Sequence, residues 1–363
     1  MGAKNIAKDM KSHTDDIHSI AMTTDRKLVA TGQVGHRPII MIWGAIKADM
    51  KRCIRLPKGS RSACALGFSE CGKYLTAVDM HNDHNVHLIE VASGQIKWSQ
   101  KGGPDKILDV AWSLKSQSDL RFCTVGIKHV FFWTYDSQKK SRGITNRKVK
   151  LTNFLCVAFD PNGIAYTGGQ NGTVYTWNGN NYAGGIQGAH RGAVSSIRFT
   201  DGVLLSGGKD KKIVIWEPAP ALKQLRSVSV EDLHYPIAID YMDQTIVAGL
   251  RDGRIIEISE TDDTRDIMDS HHEGEVWGLT VFNEFAVTTG DDNKIMVWDL
   301  NKKICHATGK IGEKKGQVFK RGGASTMSTL PPNQCSRAVA YNPVNGHIAI
   351  GHNNGMVSIR KSY

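Results

Sequence analysis

A unit of about 40 to 45 residues recurs along this chain, and a period of that size restricts the fold to stacked units that cannot bury their apolar faces alone. The repeat is plainest when residues 189–217, AHRGAVSSIRFTDGVLLSGGKDKKIVIWE, are set beneath residues 271–299, HHEGEVWGLTVFNEFAVTTGDDNKIMVWD. His190 then falls with His272, Ser206 with Thr288, Asp210 with Asp292 and Trp216 with Trp298, at identical separations. Met once, a cluster of histidine, hydroxyl and carboxylate suggests an active site. Met twice at one spacing, it reads as scaffold. Between histidine and tryptophan lie short apolar runs, 194–199, 203–206 and 212–216 in the earlier copy, parted by Gly and Asp turns. They predict three strands of an antiparallel meander. With 37 glycines and only 10 prolines, the chain is well supplied with tight turns.

The third strand of successive repeats ends at Trp43, Ile89, Trp133, Trp177, Trp216, Ile258, Trp298 and about Arg360. Four strands per unit with Trp or Trp-Asp closing the third is the WD40 signature, so the predicted fold is an all-β WD40 β-propeller of seven or eight four-stranded blades, with eight repeats counted. Histidine, hydroxyl, aspartate and indole are expected to join in one buried chain of hydrogen bonds, which holds only if each member is satisfied. Other repeats carry the motif unevenly. The fourth has Leu151 and Asn171 where the fifth has histidine and aspartate, the sixth has Ile258 for tryptophan, and the eighth has Arg360. Seven repeats are assigned to 13–300, a basic Gly/Ser-rich insertion to 301–334, and the eighth repeat to 335–363. The eighth is either the last blade or the start of a second propeller. Residues 1–12 resemble the strand that precedes each blade and are expected to close the ring.

Several chemistries are argued against by absence of their patterns. No apolar run approaches the roughly 18 residues that cross a bilayer, no signal-peptide core opens the chain, and Ile6 stands where a myristoylation pattern needs Ser or Thr. The expected setting is therefore cytoplasmic, with no membrane partner. Seven scattered cysteines, none in a C-x-x-C pair, read as buried reduced thiols. HNDHNVH, residues 81–87, is the densest histidine cluster, but it falls where the second repeat turns, and a solvated loop is the simpler reading than a metal site. The glycine-rich 167–173 and 207–212 lack phosphate-loop spacing. No serine elbow or carboxylate pair outside a turn is present, so no enzyme, cofactor or small-molecule substrate is expected.

The formal charge is +11, which favours polyanionic partners. Positive residues gather in 47–61, 137–150, 209–212 and 302–334. Lys139, Lys140, Arg142, Arg147, Lys148, Lys150, Lys314, Lys315, Lys320 and Arg321 are the candidate partner-binding residues if these loops share one rim. Nucleic acid is the weaker candidate, because no stacking-aromatic motif accompanies the charge.

Beyond the generic repeat, the chain resembles the echinoderm microtubule-associated protein-like family. Residues 13–33, HTDDIHSIAMTTDRKLVATGQ, followed by RPIIMIW at 37–43, are similar to that family's first propeller repeat. VGIKHVFFWTY at 125–135 and EGEVWGL at 273–279 resemble two further distinctive strands, in matching order. The resemblance implies a non-enzymatic scaffold associated with microtubules or tubulin, placed on the cytoskeleton and in a ciliary or axonemal assembly, with this propeller the first of a tandem pair. Coiled-coil heptads and a second complete propeller, which typical members carry, are not among these 363 residues. A fragment, a short member and the ordered part of a longer protein all fit. The competing reading is a general WD40 adaptor for protein complexes away from microtubules.

Overall fold

The computed structural model describes residues 13–361 apart from 48, 116–119, 136–137, 146–148, 150–151, 231–233, 269–274, 303, 311–316, 320–334, 343, 345 and 354. The described residues form strands, turns and bends, gathered into eight four-stranded sheets, numbered as blades 1 to 8 in chain order, and the fold class is that of a WD40 β-propeller. Among the described residues no helix is long and apolar enough to cross a membrane. Seven sheets are meanders in chain order, whereas in the eighth Gln317–Phe319 flanks Val357–Lys361, ahead of its neighbours in sequence.

Burial follows strand position. The third strand of blade 1, Ile39–Gly44, is almost wholly buried, because its two faces pack against neighbouring layers. The fourth strand of blade 2, Gln95–Lys101, alternates exposed and half-buried residues, as a strand at a sheet edge should. The layer joining blades 1 and 2 contains Ala30, Ile40, Ile42, Leu66, Leu75 and Ile89. The next contains Val78, Leu88, Trp112, Phe122 and Trp133. At about 1.5–3 kcal/mol for each large apolar side chain, such layers supply most of the driving force for folding.

The chain divides into two compact units, 1–246 and 247–363. In the first, the opening strands of successive blades pack side by side: Ile17–Met22, Ala63–Phe68, Ile107–Trp112, Phe154–Phe159, Val194–Thr200 and Pro236–Met242. They run in one direction: early in the strands Ser19 Oγ donates to the Ala63 carbonyl, Cys156 Sγ to that of Val194 and Ser195 Oγ to that of Pro236, and late in them Trp112 Nε1 donates to the Gly67 carbonyl and Thr200 Oγ1 to that of Tyr241. The links between blades and the turns between second and third strands therefore share one end of the sheets; the remaining turns share the other. In the second unit, Val276–Phe282 packs on Ser336–Asn342, with Phe282 and Tyr341 stacked at 3.9 Å over Val287, Ile295, Ile348 and Ile350.

Two irregularities recur that the sequence did not announce. A bulge interrupts pairing at the start of the first strand, as at Ile17/Ser19, Ala63/Ala65, Val194/Ser196 and Val276/Gly278. A second falls where the third strand meets the fourth, at Trp43, Ile89, Trp177, Trp216 and Trp298. Bulges sharpen the local twist, and this one is kept at Ile89 without the indole.

Blade 3 is also fastened to blade 4. Past its fourth strand, Lys140–Arg142, the chain bridges to Asn181 in parallel. Ile144 N donates to the Asn180 carbonyl (2.7 Å), Tyr182 N to the Ile144 carbonyl (2.9 Å), and Asn180 Nδ2 to the Arg142 carbonyl (3.3 Å). The expected closing strand, residues 1–12, lies outside the described residues. From the 301–334 insertion, Ile304–Lys310 is the fourth strand of blade 7 and Gln317–Phe319 the edge strand of blade 8.

Candidate functional site

The most developed polar constellation lies in blade 5. Ser206 sits on the second strand, Val203–Gly208, and Trp216 ends the third, Lys212–Trp216; Leu204 is paired with Trp216. The indole thus reaches Ser206 diagonally on one face, and its Nε1–H donates to Oγ at 2.8 Å. His190, in the link entering the blade, places Nε2 2.8 Å from the same Oγ and Nδ1 2.8 Å from Asp210 Oδ1. The roles follow from what each group can do. An indole only donates and a carboxylate only accepts, so the hydroxyl passes its proton to Nε2 and Nδ1–H points at Asp210. Asp210 Oδ2 also accepts from the Arg191 amide at 3.0 Å. The second strand ends in glycine for a reason: a Cβ at Gly208 would lie 2.3 Å from His190 Nδ1 and 2.5 Å from Asp210 Oδ1.

Blade 1 builds the same relay with a different acceptor. His13 Nε2 lies 2.6 Å from Thr31 Oγ1, which accepts from Trp43 Nε1 at 2.8 Å. His13 Nδ1 meets Gln33 Oε1 at 2.8 Å. Gln33 pairs with the first residue of the opening strand, Ile17, as Gly208 pairs with Val194. The side chain that blade 5 excludes at this register supplies the acceptor in blade 1. Sequence reasoning overlooked His13, although both histidines precede the opening strand by four residues, 13 to 17 and 190 to 194.

Hydroxyl and indole occur together. Trp133 donates to Thr124, Trp177 to Thr167 and Trp298 to Thr288, at 2.9, 2.9 and 2.7 Å. At the corresponding positions blade 2 has Ala77 and Ile89, blade 6 Ala248 and Ile258, and blade 8 Ile350 and Arg360. A buried hydroxyl without a donor costs about 1–3 kcal/mol, so the pair is kept or lost as a unit. Asp292 Oδ1 accepts from the Lys294 amide at 3.1 Å, and His272 lies outside the described residues.

Blade 2 relocates its polar network. Asp79 is fully buried at the register of Gly208, and its carboxylate accepts from Ser60 Oγ (2.6 Å), His87 Nε2 (3.0 Å) and the amides of His81 and Asn85 (3.0 and 2.8 Å). Ser99 Oγ lies 2.7 Å from His87 Nδ1. Burial alone would raise the Asp79 pKa, but the bonds from His87, Ser60 and the His81 amide outweigh it and hold it at about 2. The solvated-loop reading of 81–87 is corrected here: His87 is a buried member of the third strand, Asn85–Glu90, whereas His81 and His84 are half-buried in the turn. Among the described residues, no group of three or more His, Cys, Asp or Glu is arranged to hold a metal ion.

Asp210, His190 and Ser206 copy the order of a hydrolase triad, but the Ser206 hydroxyl is wholly buried and engaged by Trp216, so no acyl group reaches it. The basic residues are dispersed. Lys140 and Arg142 form a strand rather than a loop, and both are tied inward: Lys140 Nζ to the carbonyls of Lys101 and Gly102, and Arg142 Nη2 to that of Lys128. Lys139 is exposed, at the opposite end of the sheets from Lys128. Arg147, Lys148, Lys150, Lys314, Lys315, Lys320 and Arg321 lie outside the described residues.

Residues 10–239 match the family described as the echinoderm microtubule-associated protein first beta-propeller, and residues 265–299 match the WD domain, G-beta repeat. The chain is 40% identical over 363 residues to the ciliary WD repeat-containing protein ctxp80 of Euplotoides octocarinatus, covering 99% of this chain and 50% of that protein. It is 30% identical over 308 residues to the 77 kDa echinoderm microtubule-associated protein of Lytechinus variegatus, covering 80% and 46%. Echinoderm microtubule-associated protein-like 2 of Homo sapiens is 29% identical over 306 residues, covering 79% and 46%. The chain thus spans about half the length of these relatives. Among solved structures, the computationally designed Ika8 protein superposes with a TM-score of 0.53 at 16% identity, covering 97% of this chain and 98% of that one, which shows the fold alone.

Proposed function

Because the chain belongs to the echinoderm microtubule-associated protein family, we propose that it is a non-enzymatic WD40 scaffold that associates with microtubules or tubulin in a ciliary or axonemal assembly. The observation that carries this reading is the family match across residues 10–239, joined by the ciliary relative aligned over 99% of the chain. The site chemistry supports the scaffold role, since the polar relays are buried and occupied by their own indoles. Attraction between a +11 chain and an acidic lattice supplies the encounter. The implied location is cytoplasmic and cytoskeletal, with tubulin or another microtubule-associated protein as partner.

Co-sedimentation of the purified chain with microtubules at rising salt tests the proposal, repeated after proteolytic removal of the acidic tubulin tails. Binding that falls with salt and with loss of the tails is expected. No binding at low salt would sink the reading and direct the search to protein partners of an adaptor.

A further inference from the structure

The seam between blades 2 and 3 gathers cations from four separate segments. Lys101 ends the fourth strand of blade 2, Lys106 lies in the link to blade 3, Lys128 in the turn between its second and third strands, and Lys140 and Arg142 on its fourth strand. They are held together by main-chain contacts. Ile127 N donates to the Lys106 carbonyl at 3.0 Å, Arg142 Nη2 to the Lys128 carbonyl at 3.2 Å, and Lys140 Nζ to the Lys101 and Gly102 carbonyls at 3.1 and 3.2 Å. Lys140 is further fixed over the rings of Phe131 (4.8 Å) and Trp133 (5.5 Å). Against these five cations stand Asp83, 3.0 Å from Lys101, and Asp105.

The concentration is local. The fourth strand of blade 4, Asn181–Ile186, carries no charge, and at the other end of blade 1 Lys27 and Lys51 are matched by Asp25 and Asp49 at 3.2 and 2.6 Å. Gln95–Lys101 and Lys140–Arg142 are also the edge strands of their sheets, the position at which an extended chain can lie alongside. The rings at the seam lie beneath Lys140, with Trp133 buried and Phe131 half-buried, so bases find no stacking platform.

We propose that the seam of blades 2 and 3 is a docking surface for an extended, Glu-rich peptide, recognised by Lys101, Lys106 and Lys128, with Lys140 and Arg142 bracing the segments that carry them. It deepens the microtubule reading by naming the surface that meets an acidic partner, and rests on that reading only for the partner's identity.

The test is fluorescence anisotropy of a labelled oligoglutamate peptide with the full chain at moderate salt. The triple variant Lys101→Glu, Lys106→Glu, Lys128→Glu is compared with Lys73→Glu, Lys115→Glu, Lys223→Glu, which makes the same change in net charge at exposed positions on the opposite end of the sheets. The seam triple should weaken binding by roughly tenfold or more and the control by less than about threefold. Lys101→Gln, Lys106→Gln, Lys128→Gln, a milder change that keeps the test open if the reversal impairs folding, should fall between them. Equal losses in both triples, or no binding by the natural chain, overturn the proposal. Tighter seam-dependent binding of an oligothymidylate of matched charge overturns it in favour of nucleic acid. Peptide binding at the seam without co-sedimentation would refute the microtubule reading alone, and co-sedimentation indifferent to the seam variants would refute the docking surface alone.

Discussion

Blades 5 and 2 hold the same backbone with opposite interiors. In blade 5 an indole, a hydroxyl, an imidazole and a carboxylate form one relay from Trp216 to Asp210. In blade 2 the first two positions are Ala77 and Ile89, and polarity has moved to Asp79, His87, Ser60 and Ser99. The bulge ahead of the fourth strand is present in both. The strand geometry therefore does not depend on the polar network. What the network adds is a penalty for any arrangement that leaves one of its members unpaired.

The sharpest way to break the comparison is Asp79→Ala, which strands His87, Ser60 and two amides in a buried site; a loss of about 3–5 kcal/mol in chemical denaturation is expected. Asp79 also sets a pH limit. Its folded pKa of about 2 lies below the ordinary 3.8, so its stabilisation is complete above about pH 4 and disappears as the pH falls toward 2. That leg amounts to about 2 kcal/mol, and Asp79→Asn should flatten acid denaturation across the window. Ser206→Ala should cost about 2 kcal/mol by unpairing Trp216 and His190, and an unfolding midpoint unchanged from the natural chain would show the relay to be dispensable. Ala77→Ser and Ile89→Trp together transplant the pair into blade 2. Each alone should destabilise, and a double-mutant cycle should return a favourable coupling of about 1 kcal/mol. Smallest of all, exposed Lys139→Glu should shift stability by less than about 0.5 kcal/mol.

The period and the tryptophan-terminated third strands made the blades legible, because strand alternation and turn glycines are local signals. The pairing of Ser206 with Trp216 was also legible, because a repeated spacing exposes a repeated contact. Asp79 was not, since its partners come from a preceding link, a turn and the third strand, which only the fold brings together. Gln33 escaped notice because it replaces Asp210 from a different register position. Lys140 reads as a partner-binding residue of a basic loop because sequence cannot show that it opens an edge strand with its ammonium folded back over Phe131.

The bridge at Ile144 has a mechanical meaning. The chain leaving blade 3 is clipped to the outer edge of blade 4 by two main-chain hydrogen bonds and the Asn180 side chain. A pull on the perimeter of one blade is thereby handed to the next before its core is strained. Under load, such a clip would spread force sideways and let neighbouring blades yield together rather than peel one at a time.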